Sequence, residues 1–215
     1  MRRMRPCVVA IVAAASSIVA LDAAAADASA AVEPRERYIP VELWAGTEWD
    51  GKSELKMPPV SSNYRHRASS YQIKGPIEWK HPVTGRMYTA YERNEFERSG
   101  TKTQMFTINE EKSGLGRLFD RRPGRETRTY SGGLKFPLGV WKEGETRTFA
   151  YTALDSRQSE RAETITITQI DFTFQGTPHC LEFRWLATDA AGKTVYDQHT
   201  YTYCPGKSMA HEIHY

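Results

Sequence analysis

Two cysteines placed symmetrically about a glycine constrain the fold of this chain more than any other feature. Cys180 and Cys204 each lie twelve residues from Gly192, and the segment between them reads as one β-hairpin with its turn at 189–193. An antiparallel register centred on Gly192 places the two cysteines directly opposite each other, where Cβ atoms lie roughly 4.5–5.5 Å apart. A disulfide needs a Cβ separation of about 3.5–4.5 Å. The sequence therefore predicts a Cys180–Cys204 disulfide across this hairpin.

This register also predicts which face of the hairpin is buried. Odd positions carry most of the large apolar and aromatic residues, whereas even positions carry mainly charged residues and threonines. The pairs Phe183–Tyr201 and Trp185–His199 then lie opposite each other on the core side. His199 is expected to be an interior histidine with a hydrogen-bond partner, as buried polar groups usually have. The even face is expected to be solvated and to hold the disulfide at its open end.

The first 30 residues predict a secretory signal peptide. Three arginines precede an apolar run of 15 residues, and small-residue cleavage sites follow, which is the three-part pattern of such a leader. The apolar run is shorter than the ~20 residues that span a bilayer. After removal of the leader, which contains Cys7, two cysteines remain, an even number that suits an oxidising compartment. The mature chain is therefore expected to be periplasmic or secreted.

The mature chain is expected to be close to neutral. The whole chain has 29 Lys and Arg against 26 Asp and Glu, and the leader contains three of the former and two of the latter. A general binder of polyanions would carry a clear positive excess, so nucleic acid is not an expected partner. The remaining 31–215 is long enough for one domain with its own core. No segment after the leader is apolar enough to cross a membrane.

Alternation of apolar and polar residues predicts strands through most of the mature chain. Ile165 and Ile167 share one face of a predicted strand, whereas the apolar residues from Ile170 onwards have the other parity. The change of phase at 168–169 predicts a β-bulge, or a strand that passes from one sheet layer to the next.

The second half of the chain is predicted to be a four-stranded antiparallel meander. A hairpin formed by 146–154 and 161–169 precedes the disulfide-bridged hairpin, and its apolar pattern places Phe149 and Tyr151 on the inner face. The connection between the two strands is polar, so it is expected to be an exposed tip.

The first half is predicted to add at least three strands. Segments 71–81 and 86–97 flank a turn with a Thr-Gly signal, and a Ser-Gly turn leads into 102–109. A further strand is expected at 41–44, and the aperiodic segment 48–68 is expected to be a long loop. The chain as a whole is therefore predicted to be all-β, a strongly twisted antiparallel meander that forms a half-barrel or a sandwich with one disulfide. By fold analogy alone, the former suits lipid carriers and the latter suits binding modules.

A basic stretch within 112–133 is the leading candidate for a ligand-binding site. It is the least regular part of the chain, so it is expected to be an exposed loop, and loops often carry function. Arginine presents a planar fork that suits carboxylate and phosphate groups. The expected partner is an acidic glycan, a lipid headgroup or an acidic protein surface, and the alternative is a solvated tip. The candidate ligand contacts here are Arg117, Arg121, Arg122, Arg125 and Arg128.

Two tryptophans complete the candidate site. Trp44 and Trp49 lie in a region rich in glycine and charge, which favours exposure. An exposed indole can serve as a platform for a ligand, whereas the alternative is ordinary packing in a β core.

Signatures of catalysis and of metal binding are missing from the sequence. There is no Gly-x-Ser-x-Gly elbow, no His-Glu-x-x-His and no phosphate-binding loop, and both mature cysteines are expected to be bonded. His211 and His214 are spaced as a metal-binding pair, but the C-terminus is expected to be a frayed polar tail. Glu97 and Lys102 are expected to form an exposed ion pair of little energetic value. No catalytic residue, metal or cofactor is therefore predicted.

The predicted function is a non-catalytic binding module of the cell envelope or the secreted fraction. One alternative is a hydrolase or lyase that acts on an envelope polymer, which a cleft lined by two carboxylates, or by a histidine and a carboxylate, would favour. A second alternative is a structural or assembly subunit, which a flat sandwich without a cavity would favour.

Overall fold

The computed structural model describes residues 33–50, 68–155, 158–206 and 210–213, and Pro34–Tyr215 forms one compact unit. The described chain is nearly all β, with a strongly curled antiparallel sheet that forms a half-barrel, so the predicted fold class is confirmed. The predicted signal peptide at 1–30 and most of the predicted loop at 48–68 lie outside the described residues.

Fourteen strands within the described residues form two large sheets and one small ribbon. In chain order the strands are β1 (Glu36–Ile39), β2 (Glu48–Trp49), β3 (Ala68–Lys80), β4 (Met87–Glu97), β5 (Gly100–Ile108), β6 (Gly114–Arg121), β7 (Arg128–Thr129), β8 (Phe136–Pro137), β9 (Gly139–Lys142), β10 (Thr146–Ala153), β11 (Ser159–Phe174), β12 (Thr177–Asp189), β13 (Val195–Tyr203) and β14 (Ala210–Ile213). One sheet has the order β2-β3-β4-β5-β6-β7, with β8 also paired to β6. The other has the order β10-β11-β12-β13-β14, and β1 pairs with β9.

The predicted disulfide hairpin is confirmed. β12 and β13 pair in the register centred on Gly192, with Phe183 opposite Tyr201 and Trp185 opposite His199. The Cys180–Cys204 disulfide joins the open end of the hairpin, with 4.3 Å between the Cα atoms. A single irregularity next to the turn shifts the last pair of residues. The hairpin register predicted from the symmetric spacing of the two cysteines is therefore correct.

The predicted β-bulge is also present. β11 shifts its register against β12 between Ile167 and Gln169, so Ile165, Ile167 and Ile170 are all buried although their parity differs. Two further shifts follow before the end of the strand. These shifts turn Phe172 towards the disulfide.

The even face of the hairpin is less solvated than expected. Phe172 and Phe174 pack against the disulfide, and both cysteines are buried. The expectation of a solvated even face is therefore wrong at the disulfide end. The cause lies in the bulges of β11, which carry two aromatic rings around to this side.

Two segments near the chain ends differ from their predicted conformation. The strand expected at 41–44 is a 3₁₀ turn, Val41–Leu43, which follows Pro40 and carries Trp44 into the core. The C-terminal segment expected to fray instead adds β14 to β13, where Tyr201 pairs with His211. The predicted four-stranded meander is therefore a five-stranded sheet, and His214 lies outside the described residues.

The basic stretch at 112–133 contains a full strand, β6, rather than one long exposed loop. Glycines inside this strand permit the close approach of a second chain segment. A methyl group on Gly114 would overlap Leu134, and one on Gly116 would lie 3.0 Å from the carbonyl oxygen of Gly133. Glycine in a strand interior often marks such an approach.

The turn between β3 and β4 is held by a buried histidine. Nδ1 of His81, which is 1% exposed, accepts hydrogen bonds from the backbone N–H groups of Val83 and Thr84, each at 3.2 Å. Nε2 lies 3.3 Å from the carbonyl oxygen of Tyr130, so the neutral tautomer with its proton on Nε2 satisfies all three contacts. Burial lowers the pKa of His81 below its ordinary value of 6.5.

Acidification is expected to destabilise the fold through His81. Because the pKa is lower in the folded than in the unfolded chain, the contribution of His81 is complete above about pH 6.5 and is lost as the pH falls below it. We expect the free energy of unfolding in urea to fall between pH 7 and pH 5, and to fall less in His81→Asn. An asparagine oxygen can still accept the turn N–H bonds, but it does not titrate.

The control for this prediction is His179→Asn, because the His179 side chain is 71% exposed and its contact with the exposed Asp171, at 3.5 Å, is of little energetic value. This variant should reduce the pH dependence of stability less than His81→Asn does. An unchanged pH dependence in His81→Asn would contradict the assignment, whereas a reduced one supports it. His199, whose pKa burial also lowers, should account for part of the remaining slope.

Candidate functional site at the rim of the half-barrel

The inner face of the seven-stranded sheet changes from apolar to charged along its length. Residues directly opposed on β4 and β5 point to the same side of the sheet. The pairs, in order towards the turn between these strands, are Tyr91 with Phe106, Arg93 with Gln104 and Glu95 with Lys102. We call this end of the sheet, which carries the β4–β5 turn and the β6–β7 connection, the rim.

Buried charges gather at the rim in what we call the charged layer. Its four cations and three carboxylates come from β4, β5, β6 and β11 and from the segment between β7 and β8. They are Arg93, Lys102, Arg117 and Lys135 with Glu95, Asp120 and Glu163.

Glu95 lies at the centre of one part of the charged layer. Its carboxylate oxygens lie 2.9 Å from Nη2 of Arg93 and 2.7 Å from Nζ of Lys102. Burial alone would raise the pKa of Glu95, but the two cations outweigh burial and lower it to about 2. The expected exposed pair of Glu97 with Lys102 is therefore wrong, because the register places Lys102 opposite Glu95 and both are largely buried.

Arg117 connects the two large sheets. Its Nη2 atom lies 3.3 Å from Oε1 of Glu163 on β11, and its guanidinium stacks 4.3 Å from the centre of the Tyr130 ring. Nη1 also lies 4.0 Å from Asp120. The structure therefore places Arg117 in the interior and not on an exposed loop, contrary to the expectation for this residue.

A short segment at 131–135, which we call the glycine strap, crosses the interior beside Glu163. The Glu163 carboxylate is fully buried, and its Oε2 atom accepts a hydrogen bond of 3.1 Å from the N–H of Leu134. A methyl group on Gly133 would overlap this carboxylate, and Gly133 also has a φ of +136°. The strap therefore needs glycine at this position for both space and conformation.

The glycine strap carries Lys135 over the aromatic side of the other sheet. Its Nζ atom lies 2.9 Å from the centre of the Trp185 ring. Burial, reinforced by the nearby Arg117 cation, holds the pKa of Lys135 well below its ordinary value. On the same sheet His199 stacks on Trp185, and its Nε2 lies 2.8 Å from Oδ1 of Asp197.

An open cleft of about 420 Å³ lies at the rim, between the β4–β5 turn and the β6–β7 connection. These two segments are in close contact, since a methyl group on Gly100 would lie 2.9 Å from Pro123. Arg122 points from the cleft towards the charged layer, with Nε 3.7 Å from Oδ1 of Asp120. The arginine cleft, as we call it, is lined by Glu97, Arg98, Ser99, Arg122, Pro123 and Arg125.

The structure brings together only part of the predicted site. Arg122 and Arg125 line the arginine cleft, whereas Arg121 and Arg128 are exposed on the adjoining strands and do not line it. Arg98 was not predicted. It follows β4 in the turn to β5, and only the proximity of that turn to the β6–β7 connection identifies it.

The exposure expected of the two tryptophans is wrong. Trp44 is 2% exposed and packs with its ring centre 5.0 Å from that of Phe106. Trp49 is 5% exposed and packs 5.7 Å from Tyr71. Glycines and charges surround both residues in the sequence, but the rings fill the core from short elements outside the long strands.

No protein-family model, curated protein or solved structure matches this chain. Within the described residues, no helix combines the length and the apolar character needed to cross a bilayer. The functional interpretation therefore depends on the geometry of the rim.

Alanine substitutions in the glycine strap should distinguish backbone strain from steric overlap. Gly132 and Gly133 have nearly equal φ values, +138° and +136°, but a methyl group on Gly132 would meet no atom within 4 Å. We expect Gly132→Ala to cost about 1 kcal/mol of unfolding free energy from conformation alone. Gly133→Ala should cost roughly 2 kcal/mol more, because it also displaces the buried carboxylate of Glu163.

Urea unfolding of both variants at one pH measures the difference. Gly132→Ala is the matched control, since it has the same backbone penalty without the overlap. Equal losses in the two variants would show that Glu163 yields without cost, contrary to its assigned role as the anchor of the strap.

Proposed function

We propose that this protein is an exported, non-catalytic binding module that holds an anionic group of its ligand in the arginine cleft. The volume of the cleft falls within the range of about 300–1,000 Å³ that is usual for ligand sites. Its guanidinium groups come from two separate chain segments and present the planar fork that binds carboxylate, phosphate or sulfate in a bidentate manner.

The observation that carries this proposal is the uneven distribution of counter-charges at the rim. In the charged layer, Glu95, Asp120 and Glu163 each lie within 4.0 Å of a cation. By contrast, no carboxylate among the described residues lies within 4.0 Å of a nitrogen of Arg98 or Arg125. The positive charge of the cleft is thus left for a ligand to neutralise.

The composition of the cleft favours a ligand that carries hydroxyl groups beside its anionic group. Glu97 also lines the cleft, and Ser99 donates a hydrogen bond of 3.4 Å to it. A carboxylate next to arginines can accept hydrogen bonds from hydroxyl groups beside the anionic group. An acidic glycan, the headgroup of a lipid and an acidic protein surface all offer an anionic group at an accessible position.

Location in the periplasm or the secreted fraction is part of the proposal. The pattern of the first 30 residues is that of a secretory leader. The Cys180–Cys204 disulfide agrees with this, because disulfides form and persist in oxidising compartments.

A hydrolase or lyase is the second candidate, on the strength of one feature. His199 and Asp197 form a histidine–carboxylate pair of the kind that serves in acid–base catalysis. The Asp197 side chain, however, is 47% exposed, and neither residue lines the arginine cleft or the interior cavity of about 10 Å³. A hydrolase would need a cleft beside this pair that could hold a polymer, so the binding function is favoured. A structural subunit is less favoured, because the half-barrel with a cleft is not a flat sandwich.

Removal of the cleft arginines should weaken binding without loss of the fold. We expect the triple variant Arg98→Ala, Arg122→Ala and Arg125→Ala to bind a heparin fragment, or vesicles containing phosphatidylglycerol, at least about tenfold more weakly than the wild type. This corresponds to about 1.4 kcal/mol, a modest loss for three charge-assisted contacts. Isothermal titration calorimetry and vesicle co-sedimentation measure the two affinities, and circular dichroism monitors folding.

The matched control is the triple variant Arg121→Ala, Arg128→Ala and Arg184→Ala. These three arginines are exposed and lie outside the cleft, so the control loses the same charge. It should retain most of the affinity. An equal loss in both triple variants, or no binding of either probe by the wild type, would overturn the proposal. Preference for one probe over the other then identifies the ligand class.

A further inference from the structure

Glu97 places a negative charge in the arginine cleft without an ion-pair partner. It lines the cleft together with Arg98, Arg122 and Arg125. Among the described residues, no cationic nitrogen lies within 4.0 Å of the Glu97 carboxylate. The hydroxyl of Ser99 donates a long hydrogen bond of 3.4 Å to it. Charges of opposite sign therefore line the same cleft and remain apart.

The backbone anchors both sides of the cleft. Glu97 is the last residue of β4, and it pairs with Ala68 on one side and with Gly100 on the other. Across the cleft, the N–H of Arg125 donates a hydrogen bond of 3.2 Å to the carbonyl oxygen of Arg122, so one turn carries both arginines. A ligand that bridges the two sides therefore meets charges on segments whose backbone is already hydrogen-bonded.

A ligand that carries both signs of charge satisfies the two sides of the cleft at once. A hydroxyl group can donate to Glu97, whereas an ammonium group both donates and neutralises the charge, and hydrogen bonds between charged groups are the stronger ones. A polyanion would instead bring further negative charge against this carboxylate, and the contact of like charges is costly. Glu97 therefore favours a zwitterionic ligand.

Phosphate suits the arginine side of the cleft better than a carboxylate does. The guanidinium groups come from two chain segments, and each presents a planar fork that binds a pair of oxygen atoms. One carboxylate is satisfied by a single fork, whereas phosphate has further oxygens for a second fork.

We propose that the arginine cleft binds a phosphoethanolamine group, with the phosphate on the arginines and the primary ammonium on Glu97. This inference rests on the proposed anion-binding function of the cleft and names the ligand class. Free phosphoethanolamine and the headgroup of phosphatidylethanolamine carry the same pair of charges, so either source presents the group that the cleft recognises.

Comparison of phosphoethanolamine with propyl phosphate tests the role of the ammonium. The two compounds have the same length, both phosphates are largely dianionic at about pH 8, and only the first has an ammonium in place of the terminal methyl group. We expect the purified protein to bind phosphoethanolamine about fivefold more tightly in NMR titrations, as one partly exposed ion pair provides. Without the carboxylate, the arginines would repel the ammonium and propyl phosphate would bind more tightly.

The variant Glu97→Gln assigns the preference to this carboxylate. It should bind phosphoethanolamine more weakly than the wild type and propyl phosphate at least as tightly, so the order of the two affinities reverses. Glu126→Gln is the matched control, because Glu126 is exposed on the β6–β7 connection but does not line the cleft. It should keep the wild-type preference. An equal loss of affinity for both compounds in Glu97→Gln would overturn the inference, because the carboxylate would then support only the shape of the cleft.

The two titrations also separate this inference from the proposed function. If the wild type binds propyl phosphate at least as tightly as phosphoethanolamine, the inference is overturned and the proposed function stands, since the arginines then bind an anion without help from Glu97. If the protein binds neither compound nor the heparin fragment, both are overturned.

Vesicles of phosphatidylcholine with and without phosphatidylethanolamine distinguish the two sources of the group. The quaternary ammonium of phosphatidylcholine has no N–H to donate to Glu97. Stronger co-sedimentation with the vesicles that contain phosphatidylethanolamine identifies a lipid headgroup as the ligand. Preference for the free compound without such co-sedimentation identifies a soluble ligand, and either result supports the inference.

Discussion

The ion pair between Arg117 and Glu163 determines how the two large sheets meet. Arg117 extends from β6 and Glu163 from β11, so each sheet supplies one of the charges. Loss of Arg117 would leave Glu163 as an unpaired buried charge, at a cost of roughly 3–5 kcal/mol, whereas loss of Glu163 would leave Arg117 with Asp120 at 4.0 Å. The same carboxylate holds the N–H of Leu134. The pair therefore also sets the path of the glycine strap, and with it the position at which Lys135 enters the interior.

Features that depend on residues close in the sequence, or on strand parity, were predictable. The hairpin register followed from the equal distances of Cys180 and Cys204 from Gly192, because side chains alternate along a strand with a period of two. The bulge after Ile167 followed from the same period, since an odd shift in parity cannot be accommodated in a regular strand. Both predictions needed only local spacing.

Features that depend on distant partners were not predictable. Gly116 lies inside β6, where the backbone of Gly133 passes close to it. In the sequence, neither glycine indicates whether it belongs to such a close approach or to a turn. Trp44 is buried by rings supplied from other strands. For the same reason the arginine cleft was predicted only in part. Arg98, just after the end of β4, comes close to Arg122 and Arg125, after β6, because β5 pairs with both strands. Arg117 leaves the predicted group because an irregularity in the register between β5 and β6 places it on the inner face, opposite Phe106.

The position of Arg122 links the surface of the protein to its interior. Its guanidinium lines the arginine cleft, and its Nε atom also faces the buried carboxylate of Asp120. An anion in the cleft would share this cation with Asp120, which in turn contacts Arg117. Such an arrangement couples binding in the cleft to the contact between the sheets. If an anion in the cleft changes the free energy of that contact, the contact changes the binding free energy of the anion by the same amount.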